Sequence, residues 1–115
     1  MISHIVLFRP RATLPAPERE ALIAALQQAV AGIPAIRRAT IGKRILLNRP
    51  GYETQMAEHF EYSAIIEFDS EADLRAYLDH PAHLNLGQLL FTAAEAVLAY
   101  DFNTVDAQHV TDLIG

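Results

Sequence analysis

Four side chains carry most of the chemistry that this sequence could perform: His4, His83, Tyr62 and Tyr77. His4 stands inside the apolar run 2–9 (ISHIVLFR). Burial disfavours a charged imidazole, so a histidine there stays neutral and can accept a proton as a general base. A packed histidine satisfied by a neighbouring polar group is the structural alternative. His83 follows Pro81 in a helix first turn, where the positive end of the helix dipole also favours the neutral ring. Tyr62 and Tyr77 can donate hydrogen bonds to a carbonyl or phenol oxygen, or simply pack with the hydroxyl at a rim. Phe8, on the His4 face of its strand, and His59, in a long connection with Tyr52, are further candidates for contact with a ligand.

Other chemistries find little support. There is no cysteine, which removes disulfides, thiol catalysis and thiolate-held metal, and suits a reducing cytoplasm. His80 and His83 have a spacing that could share a metal, but Pro81 interrupts the helix between them and no third ligand is nearby, so no metal is expected. No phosphate-binding glycine loop or nucleophile elbow occurs, and no cofactor is expected. The net charge is −5 and the nine Lys and Arg residues are scattered, which argues against nucleic acid as a partner. The N-terminal apolar run is too short for a signal or membrane helix, and no membrane partner is expected.

A chain of 115 residues makes one domain with a modest core. Residues 2–9 read as a strand with Ile2, His4, Val6 and Phe8 on one face and Ile5 and Leu7 on the other. Both faces are apolar, so both are expected to be buried. Residues 17–31 read as a helix, opened by Pro17 and stopped by Gly32 and Pro34, with Leu22, Ile23, Leu26 and Val30 as its apolar stripe. Residues 36–47 read as a second strand with a bulge or bend at Gly42. The connection 48–60 is long for a compact domain and is a candidate lid or pocket rim, or a variable surface loop. Residues 61–69 read as a third strand. Ser70 caps a helix carrying Leu74, Tyr77 and Leu78. Pro81 ends that helix and opens another over 81–98, and residues 99–105 form the last strand. The tail 106–115 either docks on a partner through Val110, Leu113 and Ile114 or frays.

The order β-α-β-β-α-β, with its second helix broken, is the ferredoxin-like arrangement, an α+β fold with a four-stranded antiparallel sheet. Helices on one side leave the other sheet face bare. A second copy placed sheet to sheet would cover it, enclosing a pocket into which His4 projects. A monomer with the 48–60 connection folded over the sheet is the alternative.

Several runs together resemble the stress-responsive A/B barrel, or Dabb, family. The opening Met1 to Phe8 is an apolar strand with one histidine, and Ile33-Pro34-Ala35-Ile36 precedes Gly42 as that family's link does. Phe68-Asp69-Ser70, then Leu74, Tyr77 and Leu78, then His80-Pro81-Ala82-His83, is the most specific run. Tyr100-Asp101-Phe102 closes the match, which covers residues 1–105 and leaves the tail outside. The resemblance implies a subunit that dimerises into an α/β barrel with a central cavity. The family includes plant stress-induced proteins and a polyketide cyclase. In that cyclase a first-strand histidine and a histidine of the HPAH run support cofactor-free proton transfer; His4 and His83 hold those positions here, and Tyr77 matches a tyrosine near the pocket. A further cyclase histidine, at the start of the third strand, is replaced by Tyr62. The implied function is binding of a small apolar or aromatic molecule, either with acid–base catalysis or as a non-catalytic ligand-binding or stress-response protein.

Overall fold

The computed structural model describes residues 1–115. Its elements run β1 (Ile2–Pro10), α1 (Ala16–Gly32), β2 (Arg38–Lys43), β3 (Tyr62–Phe68), α2 (Glu71–Asp79), α3 (Pro81–Ala93) and β4 (Ala94–Asn103). Short 3-10 turns lie at Glu53–Gln55 and Ala107–Asp112. The four strands form one antiparallel sheet in the order β2-β3-β1-β4, the ferredoxin-like α+β architecture. The Cα envelope is 17 Å thick along its shortest axis, the depth of one sheet plus one layer of helices, so one sheet face carries no helix.

Register decides which face that is. His4 pairs with Ile66 on β3 and Asp101 on β4; Ile2 pairs with Phe68; Phe8 pairs with Tyr62 and Val97. Directly paired residues share a face. Ile66 and Phe68 are the most buried large side chains, and they pack in one core with Ala25 and Ala29 of α1, Leu74 and Tyr77 of α2 and Leu86 of α3. The His4 face is therefore the helix-covered face. Truncating Phe68 to Ala would cost about 3–5 kcal/mol. The opposite, open face carries Ile5, Leu7, Ile65, Leu98, Tyr100 and Phe102. Tyr100 and Phe102 are 58% and 48% exposed there.

Local sequence explains most of the boundaries. Pro15 and Pro17 set the start of α1. Ser70 Oγ accepts the Asp73 N–H at 3.2 Å and caps α2. His80 stays extended before Pro81, and its Nδ1 accepts the Ala82 N–H at 3.0 Å, capping α3.

Four expectations need correction. The α1 stripe that meets the sheet includes Ala25 and Ala29, the two most deeply buried residues of that helix, while Ile23 and Val30 are exposed. Small residues let the helix approach closely, and a stripe read only from large side chains misses them. The second strand is shorter than 36–47: it ends at Lys43, and Ile45, Leu46 and Leu47 are exposed. Gly42 makes no bulge, because β2 and β3 keep one register from Arg38 to Lys43; a Cβ there would lie 2.9 Å from Ser63 Oγ. The last strand begins at Ala94 rather than 99, because residues 94–98 pair with the far end of β1. That pairing overrides a helix-favouring composition in Ala94, Glu95 and Ala96. The irregularity in the sheet lies instead at Arg9/Pro10, opposite this stretch.

Candidate functional site

Between the helix-covered sheet face and the helices lies a cavity of about 450 Å³. Its wall is largely apolar, including Val6, Phe8, Leu22, Ile66 and Leu86. Its polar groups are few, as expected of a site for a small apolar molecule. His4, Tyr62, Tyr77 and His83 all line it, so three separate stretches of sequence, β1, β3 and the α2–α3 pair, converge on one space.

β1 supplies His4 at its centre, 6% exposed. Its Nδ1 lies 2.6 Å from Asp101 Oδ1. In the neutral ring Nδ1–H donates to the carboxylate and Nε2 keeps its lone pair. Asp101 reaches His4 because β4 pairs with β1 in a register that sets the two residues directly opposite. The imidazole packs edge-on against Tyr77, with ring centroids 5.7 Å apart. Tyr77 in turn lies against His83 at 4.5 Å and Phe68 at 5.1 Å. Burial raises the Tyr77 phenol to about 12, so it remains a donor at neutral pH. No protein group bonds its hydroxyl.

His83 sits in the first turn of α3, and its Nδ1–H donates to Leu78 O at 3.1 Å. That bond also leaves Nε2 unprotonated in the neutral ring. Desolvation is the main cause holding its pKa below 6.5, and nearby His4 adds to that effect, while the Leu78 bond opposes it. Tyr62 packs near Phe8, with centroids 6.3 Å apart, at one end of the cavity. No group of three or more metal-ligating side chains is present.

Two expectations fail here. The cavity belongs to one chain, between sheet and helices, and is not enclosed by two sheets from two copies. Strand alternation separates the two faces of β1 but does not say which one the helices cover. His59, and with it the 48–60 connection, lies away from the cavity. The connection folds against the open side, where Leu7, Tyr52, Met56, Phe60 and Ser63 line a separate hollow. Arg9 donates to Glu58 and to His59 O, and Arg44 donates to His59 Nδ1 at 2.7 Å. These bonds hold the connection clear of His4. Asp101 was not anticipated as a partner of His4; only the β1–β4 register, which sets the two residues opposite each other, reveals the pairing.

The family model described as the Stress responsive A/B Barrel Domain matches residues 2–104. A dimeric ferredoxin-like protein of unknown function from Thermobifida fusca superposes with a TM-score of 0.69 at 27% identity, covering 90% of both chains. A dimeric protein of unknown function and ferredoxin-like fold from Bacteroides fragilis gives 0.62 at 27% identity, covering 90% of this chain and 95% of that one. A hydroxynitrile lyase from Passiflora edulis gives 0.75 at 20% identity, covering 92% and 94%, a likeness of fold alone. No curated protein matches. No helix is long and apolar enough to cross a membrane.

Proposed function

For this chain, which belongs to the stress-responsive A/B barrel family, we propose cofactor-free acid–base catalysis on a small apolar or aromatic carbonyl compound held in the cavity of each protomer. The observation that carries this reading is two imidazoles and a protonated phenol gathered in one largely apolar space, with His4 oriented by Asp101. His4 Nε2 takes a proton from carbon next to the carbonyl, and Tyr77 donates to the oxygen as negative charge develops on it. His83, with its own Nε2 free, returns or relays a proton. Tyr62 and Phe8 contact the ring or chain of the substrate. The enolate so formed leads to aldol-type ring closure or, on reprotonation at another carbon, to isomerisation. His59 has no part in this reading.

The unit is residues 1–105, with 106–115 as a tail, and it works as a homodimer in the cytoplasm. Only 12 of 115 residues are buried in the single chain. The apolar open face, Ile5 to Phe102, gives a second copy something to cover. The 27%-identical structures are described as dimeric, which agrees.

The test needs no knowledge of the natural substrate. Incorporation of deuterium next to the carbonyl of 1-tetralone should be accelerated by the protein without added cofactor. His4→Gln should slow it by about a hundredfold while phenol still binds. Phenol binding without any acceleration would favour a non-catalytic ligand-binding protein. Unchanged exchange in His4→Gln would remove His4 from the mechanism.

A further inference from the structure

Gly87 lies in the interior of α3, where glycine weakens a helix relative to alanine. Packing does not require it. A Cβ built at Gly87 meets nothing within 4 Å, whereas one at Gly42 would strike Ser63 Oγ at 2.9 Å. The space at Gly87 is continuous with the site: Gly87 lines the His4 cavity, and together with His83 it also lines a second hollow on the outer side of α3 beside Asn85 and Gln88. Ile23 of α1 and Phe91 of α3 line the cavity too, and they are 48% and 70% exposed, so they rim its mouth rather than its floor.

From these observations we infer that Gly87 is a specificity-determining residue: the absent side chain leaves room for the distal apolar part of a ligand, and a side chain there would limit the cavity to shorter molecules. The inference rests on the cavity being the ligand site, as proposed above. The ligand class is an aromatic or carbonyl compound whose apolar portion extends from the His4–Tyr77 end past Gly87 towards Ile23 and Phe91.

Phenol and 4-phenylphenol serve as short and long probes, titrated by ligand-observed NMR against the parent chain, Gly87→Ala and Gly87→Leu. A Cβ at Gly87 meets no neighbouring atom and alanine favours a helix over glycine, so Gly87→Ala should melt higher than the parent, while a melting curve checks that Gly87→Leu is folded at the titration temperature. Gly87→Leu should weaken 4-phenylphenol by about tenfold or more while leaving phenol within about twofold, and Gly87→Ala should fall between. Equal weakening of both probes, or of neither, in variants that melt like the parent would overturn the role of Gly87 and leave the cavity assignment standing. A parent chain that binds neither probe would overturn both.

Discussion

Asp101 of β4 lies directly across the strand pair from His4 of β1, and the two side chains meet at 2.6 Å. The carboxylate is half exposed while the imidazole is buried, so the pair spans the boundary between solvent and cavity. Its value lies in fixing which ring nitrogen carries the proton rather than in holding the fold together. Asp101→Ala should therefore cost no more than about 1 kcal/mol of stability. In nitrogen-15 spectra of the neutral ring, His4 should move from the Nδ1–H tautomer towards the Nε2–H form. Exchange of 1-tetralone should fall by at least about tenfold. A tautomer that does not change would show that some other group orients the ring.

His83 gives a prediction in pH. Desolvation lowers its pKa from 6.5 in the folded chain, so the unfolded chain binds the proton more readily. The stability that comes from keeping His83 neutral is full above pH 6.5 and is lost as pH falls through the folded value. The melting temperature of the parent should therefore drop more steeply than that of His83→Gln on acidification from neutrality. Parallel curves would mean that the ring titrates as it does in water.

Tyr77 separates packing from chemistry. Its ring fills the core, and its hydroxyl makes no side-chain hydrogen bond yet is not a buried unpartnered atom, so it reaches open space. Tyr77→Phe should leave the melting temperature close to that of the parent yet weaken phenol by several-fold, roughly the worth of one hydrogen bond. Tyr77→Ala should destabilise by about 3–5 kcal/mol. In a spectrophotometric titration the buried phenol should ionise only near 12. Its contribution to stability is complete below 10, its ordinary value, and is lost as pH rises through the folded value.

The open sheet face tests the assembly. Tyr100 and Leu98 lie on it, away from the cavity. Tyr100→Glu should shift the chain from dimer to monomer in analytical ultracentrifugation, because a carboxylate would be forced into an apolar contact. A parent chain that sediments as a monomer at high concentration would reject the dimer outright.

Most of the fold was legible because its punctuation is chemical. Prolines 15, 17 and 81 and the Ser70 cap mark helix starts that need no tertiary information. The strand at 2–9 and the pairing of its faces followed from alternation alone. What stayed hidden depends on contacts between distant segments. Residues 94–98 look helical until β1 lies beside them. The side of the sheet that receives the helices is a matter of connection handedness and packing, so His4 was placed correctly on its strand but assigned to the wrong enclosure. His59 was drawn in by its residue type and its place in the long connection, but Arg9 and Arg44 bond it away from the cavity.

α3 passes into β4 with no intervening residue, and the Arg11 N–H bonds Ala93 O at 2.9 Å at that joint. The helix bearing His83 is thus continuous with the strand bearing Asp101, itself zipped along β1. Swinging α3 outward would mean peeling an edge strand, a costly motion. The partners of the two imidazoles, Asp101 for His4 and the Leu78 carbonyl for His83, therefore sit on elements that the backbone ties to one another.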